Sequence, residues 1–316
     1  MVEFLNPFIA AALNFLSRNP LNPTPPPPVV FDAFRLRQYQ LAARYAADVF
    51  FVQADQPLPP LYNEPERTVI YEDQNDRALV TRREGTCYLS FAGANIRDFV
   101  GIFTDGNQGT GFTGTTQVCG SDGCCRLDRG ITRAYFSDYV EQMEADTREC
   151  VASCGFGTPC PLVLTGHSQG ASIAHVAAVV LADLNPILFS FGAQKMIHFS
   201  RCGVLDNMDL FFRTISQCPT AGGGPQYDVQ VYLGVVWGQH TGTMILVGPG
   251  GAMTLARNTD INFFPVADEC HNVIIHYIGN IDQLVPNQPF DGFVPGSLCT
   301  RDIECRSQSC DNQRCL

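Results

Sequence analysis

The stretch "LTGHSQGAS", residues 164–172, decides how this chain is read. Ser168 stands between Gly166 and Gly170. Behind it lies the apolar run Leu162, Val163, Leu164, and ahead of it a small-residue apolar stretch from Ala171 to Leu181. A Gly-x-Ser-x-Gly spacing alone is weak evidence, because a structural turn between two glycines has the same letters. Context strengthens it. A tight strand-to-helix turn forces its central residue into a strained backbone conformation, and the flanking residues must be small because backbone and neighbouring strand come close there. The predicted strand and helix are both present. Ser168 would then stand above a sheet, with the Gln169 N–H at the helix start aimed where an oxyanion would form.

Working outward, "PLVLTG" (161–166) and "ILFSFGA" (187–193) read as short, fully buried strands of the parallel kind, and "LFFRTIS" (210–216) as a third. "ASIAHVAAVVLADL" (171–184) reads as a helix stopped by Pro186, and "ITRAYFSDYVEQMEADTREC" (131–150) as one amphipathic helix. Upstream, residues 31–52 have helical spacing (Phe34, Tyr39, Leu41, Tyr45, Val49). "TVIYED" (68–73), "ALVTRR" (78–83) and "CYLSFAG" (87–93) read as strands. Residues 104–125, rich in Gly and Thr, are expected to form a mobile or disulfide-tied loop. "VQVYLG" (229–234) and "GTMILVG" (242–248) are further strands. The alternation predicts an α/β fold with a mainly parallel sheet flanked by helices.

The ends differ in composition. Residues 1–30 form an N-terminal segment closed by the stiff linker "NPLNPTPPPP" (19–28), in which helix and central strand are both excluded. Its apolar run "FIAAALNFL" (8–16) is short, follows Glu3 rather than a basic residue, and lacks a clear cleavage site, so it does not settle whether residues 1–20 are a signal. Residues 31–295 make the main domain. Residues 296–316 are a Cys-rich tail with four Cys and too few apolar residues for a core, so disulfides must hold it.

Bulk properties narrow the function. The chain has 31 acidic and 20 basic residues, a net charge of -11, which argues against nucleic-acid binding. Its 14 Cys, with no repeated metal-site spacing, imply disulfides and an oxidising compartment, hence secretion. No stretch reads as a membrane-spanning helix free of charges and breakers.

Residues 161–195, "PLVLTGHSQGASIAHVAAVVLADLNPILFSFGAQK", resemble the nucleophile region of the fungal-type (class 3) lipase family, which has the α/β-hydrolase fold. "YLSFAGANIRDFVGIF" (88–103) resembles that family's Phe-x-Gly strand end and lid helix, "RGITRAYFSDYVEQM" (129–143) the helix that follows, and "WGQHTGTMILVG" (237–248) a late strand hairpin. The resemblance runs from about Phe31 to Ile281. It implies an oxyanion hole built from the N–H groups of Gln169 and Ala94. The family usually has Ser or Thr at the latter position, so its hydroxyl is missing here. It also implies a lid with Ile96, Phe99, Val100 and Phe103 on one apolar face, a helix packed permanently on the core being the alternative.

The fold requires the order Ser, acid, His. His175 lies on the post-elbow helix and is expected to pack against the sheet. His198 comes before any suitable acid, and His240 matches a structural His of the family. His271, in a loop just before an apolar helix, is the expected base, and His276 within that helix is expected to be packed. His167, beside the serine, is expected to point away. The family places its Asp just after the "FRT" strand. Here that point reads "ISQCPT" (215–220), without a carboxylate, and a Gly-rich insertion follows, so Asp228 is the expected acid. An ordinary turn Asp is the alternative.

These residues imply acyl transfer with no metal and no cofactor. The expected substrate is a lipid ester at a lipid–water interface, as for a triacylglycerol lipase. A feruloyl or other carbohydrate esterase on the same fold, and an inactive lipid- or wall-binding protein, are the rival readings. The tail is expected to be a disulfide cap, or else a contact to a surface or glycan.

Overall fold

The computed structural model describes residues 31–49, 68–72, 77–93, 114–154, 158–197, 202–208, 210–219, 225–228, 240–256, 266–286, 310–311 and 314–315. Ala94 and the lid residues Ile96, Phe99, Val100 and Phe103 lie outside this set, as do the N-terminal segment, "VQVYLG" and most of the tail.

A sheet of ten strands organises the chain. Its main path runs β1 (Thr68–Glu72), β2 (Arg77–Arg83), β3 (Thr86–Phe91), β6 (Leu162–His167), β7 (Ile187–Phe191), β8 (Phe211–Pro219), β10 (Thr243–Gly248) and β11 (Ala252–Ala256). The central pairings β3–β6, β6–β7, β7–β8 and β8–β10 are parallel. The flanking pairings β1–β2, β2–β3 and β10–β11 are antiparallel. Strands β3, β6 and β7 are buried at every position, as their unbroken apolar runs require when helices cover both faces.

Each face has its own core. On one side α1 (Ala33–Asp48) packs Leu36, Tyr39, Leu41 and Tyr45 against Phe189, Phe191 and Ile245. Its start is fixed by Asp32, whose carboxylate accepts the Arg35 N–H at 2.7 Å. On the other side α4 (Gln169–Val180) is buried almost all round, and joins α2 (Arg129–Tyr135) and α3 (Val140–Ala152) over Leu89, Leu164 and Leu188. A helix apolar on every side belongs in a layer sandwiched between others.

Three local expectations need correction. Part of residues 104–125 is not loop. β4 (Thr115–Gly120) and β5 (Gly123–Asp128) form a hairpin closed by the Cys119–Cys124 disulfide. The helix expected over 131–150 is two helices, broken where Phe136 leaves helical geometry and the Ser137 carbonyl accepts the Val140 N–H at 3.1 Å. The post-elbow helix ends at Val180, and a 3₁₀ turn, Ala182–Leu184, runs on to left-handed Asn185 just ahead of Pro186.

Five disulfides join described residues, and none of these cysteines is free: Cys87–Cys150, Cys119–Cys124, Cys125–Cys202, Cys154–Cys160 and Cys218–Cys270. This density fits an oxidising compartment. In the tail, β13 (Cys310–Asp311) pairs antiparallel with β14 (Arg314–Cys315). Among the described residues no helix is long and apolar enough to cross a membrane.

Candidate active site

Ser168 follows β6 directly and precedes the first turn of α4. Its φ of 58° and ψ of -126° put a non-glycine residue in a sparsely populated region that costs about 1–3 kcal/mol and persists only where the surroundings enforce it. They do so sterically. A Cβ on Gly166 would lie 2.3 Å from the Gly170 carbonyl carbon, and a Cβ on Gly170 would lie 2.1 Å from the Phe91 carbonyl oxygen. The two glycines let β6, the start of α4 and the end of β3 touch backbone to backbone. The Ser168 N–H donates to the Phe191 carbonyl at 2.9 Å, which ties the turn to β7. The Ser168 hydroxyl does not cap the helix. Gln169 opens α4, so its N–H belongs to the positive end of the helix dipole.

Asp228 ends β9 (Pro225–Asp228), a strand paired antiparallel with the far half of β8 and parallel with β12 (Val266–Ala267). After β12 a 3₁₀ turn, Asp268–His271, presents His271, and a π-helical segment, Val273–Ile278, follows. The structure brings the expected acid and the expected base together: His271 Nδ1 lies 2.9 Å from Asp228 Oδ1 and 2.8 Å from Oδ2. With Nδ1 bound to the carboxylate, that nitrogen holds the proton and Nε2 is left as the acceptor. The carboxylate is fully buried, while the imidazole keeps 18% of its side-chain surface.

Two further side chains complete the cluster. The Tyr277 hydroxyl donates to Asp228 Oδ2. Burial pushes the Asp228 carboxyl up, but His271 and the hydrogen bonds from His271 and Tyr277 outweigh it and hold the group below its ordinary value. Burial, then the Asp228 charge, raises Tyr277 well above the normal phenol range, so it stays a donor. His167 does not point away from the site, as its place in the elbow suggested. Its ring lies tilted against His271 with centroids 4.4 Å apart and meets Tyr277 edge-on at 5.3 Å. Strand alternation puts His167 on the same face of β6 as Val163 and Thr165, the face that α1 and Tyr277 cover, and His271 arrives on that side. Burial first, then the His271 charge, lowers His167 well below 6.5, so it is neutral at neutral pH.

Gly192 makes room for this cluster. At φ +61°, a Cβ there would sit 2.6 Å from Asp228 Oδ2, 2.9 Å from the Tyr277 hydroxyl and 3.4 Å from His271 Cε1. Gly192 follows Phe191, the residue that holds the Ser168 N–H, so elbow and acid–base pair share the end of β7. The sequence signal for it was the glycine closing the buried run "ILFSFG". Tyr277 had no such signal, since a tyrosine in an apolar helix reads as core.

The other histidines separate cleanly. His175 is buried on α4, with Nε2 3.1 Å from Ser190 Oγ, packed against the sheet as expected. His276 is half-buried on the π-helical segment. Asp206 accepts the Thr241 hydroxyl at 2.5 Å. His167, Asp228 and His271 offer ligand atoms within 4.8 Å of one another, a spacing that could hold a metal ion. A metal at His271 Nδ1 would displace its bond to Asp228.

Similarity to solved structures accords with this geometry. A triacylglycerol lipase from Penicillium expansum superimposes with a TM-score of 0.55 at 14% identity, covering 81% of this chain and 97% of that one. The fold is that of the fungal lipases. A Rhizomucor miehei lipase in complex with its propeptide gives a TM-score of 0.51 at 15% identity, over 85% of this chain and 93% of its own. A mono- and diacylglycerol lipase from Aspergillus oryzae gives 0.50 at 18% identity, over 79% and 91%. By sequence, no family model matches the chain and no curated protein does.

Proposed function

We propose that this chain is a secreted serine esterase that hydrolyses the carboxylic ester bonds of lipids. The observation that carries the reading is the His271 imidazole held by buried Asp228 against Gly192, next to Phe191, whose carbonyl anchors strained Ser168. In this mechanism Ser168 Oγ attacks the ester carbonyl while His271 Nε2 takes its proton. The N–H groups of Gln169 and Ala94 bind the oxyanion, an interaction whose loss typically costs about 3 kcal/mol. His271 then donates the proton to the leaving alcohol, and a water activated by the same imidazole releases the acid. Asp228 fixes the imidazole tautomer and stabilises its charged form. Tyr277 keeps the carboxylate oriented.

Lipid is the substrate class for two reasons. The lipase fold is one, and the apolar stripe Ile96, Phe99, Val100 and Phe103, a face suited to meeting a lipid phase, is the other. Secretion rests on the disulfides. The test is hydrolysis of one long-chain ester below and above its solubility limit. A steep rise above the limit, absent in Ser168→Ala, is expected. Plain saturation, with a preference for soluble aryl or feruloyl esters, would favour a carbohydrate esterase.

A further inference from the structure

Arg129, Arg133 and Phe136 follow one another at helical spacing, i, i+4 and i+7, and so share one face of α2 and its C-terminal cap. The opposite face, Ile131 and Tyr135, is buried, and Tyr135 packs on Phe91, the last residue of β3, whose carbonyl abuts Gly170. The outward face lies on the other side of the helix from Phe91. There Arg129, Arg133, Phe136, Thr116 and Thr132 line an open cavity of about 410 Å³.

Charge is the second feature of this face. Three surface arginines elsewhere pair with acids: Arg37 with Glu84, Arg44 with Asp282, Arg148 with Asp183. Arg129 and Arg133 make no ion pair or side-chain hydrogen bond to any described residue, in a chain whose acidic residues outnumber its basic ones by 31 to 20. The nearest carboxylate in sequence, Asp128, is buried and turned inward, accepting the Ile131 N–H at 3.0 Å. Phe136 is 51% exposed beside them.

We propose that this face binds the phosphate of an anionic phospholipid headgroup at a lipid surface. Two guanidinium groups one helical turn apart match the several oxygens of a phosphate, and the adjoining phenyl ring enters the headgroup–acyl boundary. The acidic remainder of the molecule is repelled by such a surface, so docking here sets one orientation of the molecule on the lipid. The lipid source of the phosphate rests on the proposed function. The binding itself does not involve Ser168.

The test is vesicle co-sedimentation of the full chain carrying Ser168→Ala, so that nothing is hydrolysed. Vesicles of phosphatidylcholine alone are compared with vesicles in which one-third is phosphatidylglycerol. An affinity about thirtyfold higher for the anionic vesicles is expected, and Arg129→Gln with Arg133→Gln should erase it at unchanged melting temperature. Phe136→Ser should weaken binding to both vesicle types while keeping the preference. Absence of preference, or its survival in the double arginine variant, overturns the proposal. Displacement from the anionic vesicles by millimolar inorganic phosphate, at constant ionic strength, also overturns it and makes the cavity a free-anion site. The same preference in a wild-type chain that hydrolyses no ester would sink the proposed function and leave this inference standing.

Discussion

Ser168 and Asp228 both sit at strand ends, but they are held by different means. The elbow is a local structure. Within five residues, Gly166 to Gly170, two missing Cβ atoms and one positive φ fix where the serine stands, and neighbouring backbone does the rest. The acid–base arm is built from distant parts. Asp228 reaches the site because β9 folds back on β8, and His271 because β12 pairs with β9 and Cys270, its neighbour, is bonded to Cys218 on β8. A local device resists substitution by steric exclusion. A long-range one depends on each cross-link between its segments.

This contrast sets what each substitution should do. Asp228→Asn keeps the shape of the arm but removes the charge that orients His271. An about ten-thousandfold fall in kcat is expected in steady-state hydrolysis. Melting temperature should move far less than in Gly170→Ala. That variant drives a Cβ into the Phe91 carbonyl oxygen, 2.1 Å away, and about 3 kcal/mol of stability should disappear on urea unfolding. If Gly170→Ala were silent in stability, the elbow would not be held by exclusion.

Cutting the arm's covalent link comes next. Cys218→Ser with Cys270→Ser opens a bridge across 52 residues, and roughly 2–4 kcal/mol should be lost. Because the link ends beside His271, kcat should fall while KM stays near its starting value. A loss of stability with unchanged kcat would mean that the β-pairing alone positions the base.

The smallest effect belongs to His175, behind the elbow. Burial, then the nearby Arg213 charge, lowers it to about 3, so it is neutral when folded and takes up a proton on unfolding below about pH 6.5. Its contribution is whole above pH 6.5 and is lost as pH falls toward 3. Between pH 7 and pH 5 wild type should lose about 2 kcal/mol more than His175→Gln, read from urea unfolding at both pH values. His167 adds a loss of the same sign in both proteins. Equal slopes would show that His175 is not buried neutral.

The same contrast explains what could be read from sequence. The elbow was legible because its constraints lie within one short stretch: apolar strand, two glycines, small-residue helix. The parallel sheet was legible from the unbroken runs in β6 and β7. Asp228 was reached only by following chain order past an inserted glycine loop. Tyr277 was not seen, because its role comes from β9 folding back, which no local pattern encodes. The orientation of His167 was misread because its face of β6 becomes part of the site only when His271 and Tyr277 arrive from a distant segment. The split between α2 and α3 turns on one carbonyl, that of Ser137, and periodicity runs straight through it.

The central claim is that the local elbow and the long-range arm act as one unit. It is tested most directly by the rate at which a fluorophosphonate labels the protein, with the labelled peptide mapped by mass spectrometry, in wild type, His271→Ala and His276→Ala. The expected result is a label on Ser168 alone, formed at least about a thousandfold more slowly in His271→Ala and at the wild-type rate in His276→Ala. A label elsewhere, or labelling of Ser168 at a rate indifferent to His271, would contradict the account.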